Sequence, residues 1–389
     1  MHEWFHFGVG RLGLGLVVPK LSALGIPCTL LNRADTRAAL LGPAAALTRN
    51  STLQSTDEYC ICYDRPTGKP TAHERVKFAR FIDYTPGQCS PPPVAGQTNT
   101  VLVSCSLANV AAYNDIWAFV GALEKNPAIE RIYVFLCENS IDKQSFGDSI
   151  SHLTKTTLID TIVDRMCSVQ RVYDGRVFVH TEPYEYFVVE SNPDLDTLLQ
   201  GRISVTADIR YERMKKLFVY NGSHALVAIH AAYHKFSRID LFLTESNSRA
   251  ALSPQQRLEL AYTIMYSQAE AFGEWAKQNN ASFDQHRFDE EIDDFVEKII
   301  TRMCETFDTT ARVLSRLNKP DLEGSTERYS NPYPDLFTWL FARLVPPANA
   351  YVLTYGSLPP PILEAAILLL KMIQEGRVPK TDPVIDRPG

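Results

Sequence analysis

The chain has no Cys-x-x-Cys pair, no basic excess, no apolar run of membrane-spanning length and no internal repeat. Each absence removes a class of function. The eight cysteines (Cys28, Cys60, Cys62, Cys89, Cys105, Cys137, Cys167 and Cys304) are scattered, so a zinc ribbon has no framework. Thiols used this way fit a reducing, cytoplasmic compartment. Lys and Arg total 39 against 45 Asp and Glu, and a net charge of −6 offers nucleic acid no electrostatic footing. The apolar stretch 362–372 is interrupted by Glu364 and Lys371 and falls well short of the ~20 residues a bilayer span needs. No basic segment precedes the first apolar strand, so no secretory signal is expected. His230 and His234 stand four apart, a metal-ligand spacing, but no third ligand completes a motif, and no metal is expected. What remains is a chain of 389 residues with the composition of a globular protein, long enough for two domains with full cores.

The N-terminus supplies a positive signal. An apolar strand runs into Gly8-Val-Gly10-Arg11-Leu12-Gly13, followed by an amphipathic helical pattern and a second strand ending at Asn32-Arg33. This is the context in which Gly-x-Gly-x-x-Gly binds dinucleotides. The first glycine permits the turn, the second admits the pyrophosphate, and the third lets helix and strand pack closely. Gly8, Gly10, Arg11, Leu12, Gly13 and Ser106 are the candidate cofactor residues, with Asn32 and Arg33 at the tip of the second strand. A carboxylate there would accept the ribose hydroxyls of NAD. An amide followed by a guanidinium suits a 2′-phosphate instead, so NADP(H) is favoured and NAD(H) remains possible.

Strands at 100–105 and 131–136 with a helix between them continue a parallel, doubly wound pattern. The Pro-rich segment 60–96 reads as an inserted hairpin or an excursion from the sheet. Residues 169–189 become strand-like with Gly175 at a turn, which suggests antiparallel additions. Beyond 208 the periods lengthen to helices, expected at 211–236, 254–278, 289–317, 334–344 and 360–375. The expected fold class is therefore α/β. A Rossmann-type doubly wound domain with antiparallel additions over 1–207 precedes a mostly α-helical substrate domain over 208–389.

The helical part opens with Lys216-Leu-Phe-Val-Tyr-Asn221-Gly-Ser-His224. On a regular α-helix Asn221 and His224 would lie roughly 140° and 80° from Lys216. An interrupted or bent helix could gather all three at one cleft. A lysine that moves a proton, an amide that donates and an imidazole that orients a hydroxyl make a plausible carbonyl/alcohol redox site without metal.

Taken in order, these features resemble the polyol-specific long-chain dehydrogenases and reductases, the family of mannitol dehydrogenases and mannitol-1-phosphate dehydrogenases. The resemblance rests on the glycine fingerprint, Cys137-Glu138-Asn139, Val163-Asp164-Arg165, Glu182-Pro183, the Lys216…Asn221…His224 set and Arg312-Val313-Leu314-Ser315-Arg316. It implies a zinc-independent oxidoreductase with Lys216 as general acid/base. Asn139 and Asn221 would hold the substrate oxygen and His224 a neighbouring hydroxyl. Asp164 and Arg312 match substrate-contact positions, Lys319 approximates a later basic residue, and a monomer is implied. The activity so implied interconverts a ketone and a secondary alcohol on a sugar, sugar acid or sugar phosphate. Two other readings stay open at this point: an opine-type reductase of a sugar–amine conjugate, and a non-enzymatic NADP(H) sensor.

Overall fold

A computed structural model describes residues 2–33, 52–63, 70, 72–93, 99–107, 113–137, 150–199, 201–246, 251–280, 283–305, 308, 310 and 336–377. The chain divides into two compact units, the first over Met1–Ile209 and the second beginning at Arg210.

In chain order the first unit begins with β1 (His2–Phe7), a π-helical turn (Gly13–Val17) continued by α1 (Val18–Ser22), and β2 (Cys28–Arg33). Next come β3 (Glu58–Cys62), β4 (Glu74–Lys77), β5 (Arg80–Tyr84), β6 (Thr100–Cys105), α2 (Tyr113–Glu124), β7 (Arg131–Leu136) and β8 (Thr156–Ile159). Six of these strands form one parallel sheet in the order β5-β2-β1-β6-β7-β8. The order reverses between β1 and β6, which is where open α/β sheets bind ligands beyond the strand carboxyl ends. Both faces are covered, as a parallel sheet requires. Trp4, Leu102 and Phe135 pack on the face that also buries Leu14, Leu16 and Val17. Phe5, Phe7, Val101 and Val103 pack on the other, against Ile116, Phe119 and Val120 of α2. Phe119 meets both Phe5 and Phe7 edge-on at 5.1 Å, a favoured aromatic geometry.

The Pro-rich segment resolves into both of its expected alternatives. β3 and β4 pair antiparallel, and β5 then returns to the main sheet beside β2. The chain continues through β9 (Thr161–Asp164), β10 (Cys167–Tyr173), β11 (Arg176–Thr181), β12 (Tyr186–Glu190), α3 (Pro193–Leu199) and β13 (Ser204–Thr206). β10 and β11 form the expected antiparallel hairpin, turning at Asp174 and Gly175 with φ of 48° and 71°. Positive φ at both central residues is the Asp-Gly signature of a two-residue hairpin turn.

In the second unit one unbroken helical stretch comprises α4 (Ile209–Lys215), a π-helical segment (Lys216–Gly222) and α5 (Ser223–Tyr233). It is followed by α6 (Ile239–Thr244), α7 (Pro254–Asn279), α8 (Gln285–Glu305), α9 (Leu336–Tyr355) and α10 (Pro360–Gln374). Ser253 and Gln256 close a capping box at the start of α7, with Pro254 in the first turn. The fully buried Arg257 is accommodated by donating to the carbonyls of Ser253 and Glu245 and lying 4.6 Å over the Phe236 ring. The structure departs from the sequence expectation at α6, α8 and α9: the helix expected over 289–317 runs from Gln285 to Glu305, and Asp308 lies outside any helix. The six-residue α6 is too short to show a period, and α9 runs through Pro346 and Pro347 where a stop was expected. No helix among the described residues is long and apolar enough to cross a membrane.

Candidate functional site

The glycine turn sits at the sheet's switch point. Gly8 has φ of 100°, a conformation open to glycine, and its N–H donates to the Leu31 carbonyl at 3.0 Å. Beneath it lies a buried polar chain. Trp4 Nε1 donates to Ser104 Oγ at 2.8 Å, and Ser104 Oγ lies 2.7 Å from His6 Nδ1. His6 Nε2 stands 3.1 Å from the Gly8 carbonyl, which Ser106 Oγ also reaches at 3.1 Å. A single proton arrangement satisfies every member: Ser104 donates to Nδ1, while Nε2–H and Ser106 donate to the Gly8 oxygen. Burial holds His6 neutral, with its pKa lowered to about 4. Gly13 closes the arrangement, since an added Cβ would strike the Gly8 carbonyl and come within 2.6 Å of His6 Nε2 and Ser106 Oγ.

Five-residue hydrogen bonding in the turn Gly13–Val17 takes carbonyls out of the regular helical ladder, and buried carbonyls need partners. The Tyr59 hydroxyl donates to Leu14 O at 2.6 Å, and Arg165 Nη1 donates to Gly15 O at 2.9 Å. Gly10 accepts from Leu14 N–H at 3.0 Å, and Arg11 and Leu12 lie half-buried at the start of this helix. The structure thus brings Gly8, Gly10, Gly13 and Ser106 together. Trp4, His6 and Ser104 went unread in the sequence. Their signal was His6 and Ser104, each set among apolar residues near the carboxyl end of its strand.

At the tip of β2 the charges are arranged differently from the sequence expectation. Asn32 Nδ2 donates to Asp83 Oδ1 at 2.7 Å, and Gln54 donates to the other Asp83 oxygen at 3.0 Å. Asp83 is the register partner of Asn32 on β5. Arg33 Nε lies 3.6 Å from Asp115 Oδ2, with the Arg33 side chain 19% exposed. Asp115 also accepts from Gly87 N–H at 2.8 Å. A carboxylate therefore stands beside Asn32, and the guanidinium faces a second one.

The second unit positions Lys216, Asn221 and His224 on the π-helical segment and the first turn of α5. Hydrogen bonding from i to i+5 widens the turn, so Lys216 and Asn221 come onto one face instead of the wide α-helical separation. His224 follows one turn on. Lys216 is buried, while Asn221 and His224 are half-buried. Gly222 ends the segment against α7, where an added Cβ would lie 2.9 Å from Gln268 Oε1.

His224 Nε2 is 3.5 Å from Asp308 Oδ2 and stacks on Tyr220 at 5.4 Å. The Arg302 guanidinium covers the Tyr220 ring at 4.4 Å. Carboxylate and stacked ring together fix the imidazole plane. The neighbouring Lys215 is turned away into an ion pair with Glu212 at 2.8 Å and Glu291 at 2.5 Å. Tyr220, Arg302 and Asp308 were also unread, and no spacing rule links Asp308 to a histidine 84 positions earlier.

Asp164 lies on β9 opposite Tyr186. Its neighbour Arg165 donates to Gly15 O and to Glu182 O at 2.9 Å each, so Arg165 braces the glycine helix within the first unit. Asn139, Arg312 and Lys319 lie outside the described residues. Among the described residues no group of three or more His, Cys, Asp or Glu side chains is placed to hold a metal ion.

No known protein-family model matches the chain, and no curated protein sequence matches it. Solved structures that are similar include the following two. Mannitol 2-dehydrogenase of Pseudomonas fluorescens, in a ternary complex with NAD and D-mannitol, matches at a TM-score of 0.55 and 12% identity, covering 98% of this chain and 80% of that one. The likeness is one of fold. D-sorbitol dehydrogenase in substrate-free form matches at 0.53 and 13%, covering 96% of this chain and 93% of that one. The fold shared with both is a Rossmann-type sheet followed by a helical region.

Proposed function

We propose that the chain is a nicotinamide-dependent oxidoreductase that interconverts a ketone and a secondary alcohol on a polyhydroxylated substrate. The observation that carries this reading is the π-helical segment, which brings a buried lysine and an amide onto one face beside an imidazole fixed by Asp308 and Tyr220. A π-turn inside a helix is uncommon and recurs at functional sites.

The first unit fits the cofactor. The strand order, the switch point, the positive φ of Gly8 and its doubly held carbonyl match a dinucleotide turn, with Gly8, Gly10, Arg11, Leu12 and Ser106 as holding residues. The nicotinamide, when bound, supplies or accepts the hydride. Lys216 gives its proton to the ketone oxygen in reduction and takes it back from the alcohol in oxidation. Asn221 donates its amide N–H to the same oxygen as negative charge builds there. His224 holds an adjacent hydroxyl and thereby orients the substrate oxygen toward Lys216 and Asn221.

On cofactor choice the reading moves from NADP(H) to NAD(H). Arg33, expected to take the 2′-phosphate, lies against Asp115, and the Asp83 carboxylate beside Asn32 repels a phosphate and accepts ribose hydroxyls. A panel of ketoses, uronates and their phosphates, read by nicotinamide absorbance with NADH and NADPH, tests the function. Turnover of a polyhydroxy ketone supports it; a panel that is silent with both cofactors overturns it.

A further inference from the structure

The helix α10 is apolar on two sides. One side buries Ile362, Ala365, Leu368, Leu369 and Met372 in the second unit. The other leaves Leu363, Ile367 and Leu370 50%, 46% and 56% exposed. Their spacing of i, i+4 and i+7 makes a continuous stripe on the helix surface. Leu353 and Tyr355 at the end of α9 and Leu358 in the turn that follows are exposed as well. A helix hydrophobic all round belongs in an interior, and contiguous exposed patches of this kind mark interaction sites.

The charges along the stripe point to what covers it. Exposed Glu364 and Lys371 stand seven residues apart, two turns, along the same edge of the stripe, on either side of Ile367. We propose that a second copy of this chain covers this face, α10 packing antiparallel on α10 about a two-fold axis near Ile367. Same-edge residues of antiparallel helices face each other. Glu364 of each copy therefore meets Lys371 of the other, while Leu363 meets Leu370 and Ile367 meets Ile367. A two-fold interface must be self-complementary in this way, and flanking charges set the pairing direction. In a parallel arrangement the two-fold axis would carry these charges to opposite edges of the interface, where Glu364 and Lys371 do not meet. The dimer replaces the monomer implied by the family resemblance, and it is independent of the catalytic reading.

Sedimentation equilibrium of the full chain over a range of concentrations tests the proposal. The expected species has twice the 43.7 kDa chain mass. Ile367→Glu should sediment as a monomer with an unchanged circular dichroism spectrum, because the side chain is exposed in the single copy. Glu364→Lys alone and Lys371→Glu alone each place like charges together at two symmetric contacts and should weaken association by about tenfold. The double exchange Glu364→Lys with Lys371→Glu should restore it. A monomer at every concentration, a dimer indifferent to Ile367→Glu, or a double exchange no better than the single ones would each overturn the proposal and leave the face to a different partner.

Discussion

Lys216 and Asn221 stand one wide turn apart on a π-helical segment, and that widening turns the two positions toward one face of the helix. The segment is flanked by ordinary helix on both sides, so the local distortion is held by its surroundings. Gly222 against Gln268 and Arg302 over Tyr220 are two of the contacts that hold it.

Gly13→Ala should damage the cofactor turn. The added methyl meets a backbone carbonyl and two atoms of a satisfied hydrogen-bond network, none of which can yield cheaply. Overpacking of this kind costs about 1–3 kcal/mol, read as a lower melting temperature and at least tenfold weaker NADH binding. Gly121→Ala in α2 is the control. Nothing lies within 4 Å of its added Cβ, so the substitution should stabilise by about 0.5–1 kcal/mol. Equal effects at the two glycines would contradict the packing argument.

Asp83 sets the expected cofactor preference. The native protein should bind NADH more tightly than NADPH, and Asp83→Asn should raise NADPH affinity by removing repulsion while leaving the hydrogen-bonded side chain its shape. Arg33→Ala should leave NADPH affinity unchanged, because the guanidinium faces Asp115. A selective loss of NADPH binding in Arg33→Ala would return the arginine to a phosphate-binding role.

Much of the first unit was legible, because the glycine fingerprint, the parallel strands and the Asp174-Gly175 hairpin each follow from local rules that tertiary packing reinforces. Asp83 was not. It reaches Asn32 only because β5 returns to the sheet after a Pro-rich excursion, a pairing no local pattern announces. In the second unit the long helices α7 and α10 were readable from period and caps, whereas the π-turn was foreseen only as an interruption or bend that could gather Lys216, Asn221 and His224. Its sequence carries no insertion mark, so a regular period puts Lys216 and Asn221 on different faces. Asp308 reaches His224 through tertiary structure alone.

Acid should destabilise the fold well before the carboxylates titrate fully. Burial lowers the pKa of both His6 and His230 to about 4, so the folded protein binds fewer protons there than the unfolded chain, whose histidines titrate near 6.5. The resulting stability is fully present above about pH 6.5 and is lost as pH falls toward 4. His230 Nε2 is buried and meets no hydrogen-bond partner among the described residues. His230→Leu should therefore flatten the acid slope of the melting temperature with little cost at pH 7.5. A slope unchanged by that substitution would show that His230 titrates normally in the fold.

The central claim is that Lys216 moves the proton. Steady-state turnover of Lys216→Ala with the best ketose of the panel, measured across pH beside NADH affinity by fluorescence titration, tests it most directly. The account predicts kcat at least about a hundredfold lower at every pH, with NADH affinity unchanged. Near-normal turnover with an unaltered pH profile would contradict it.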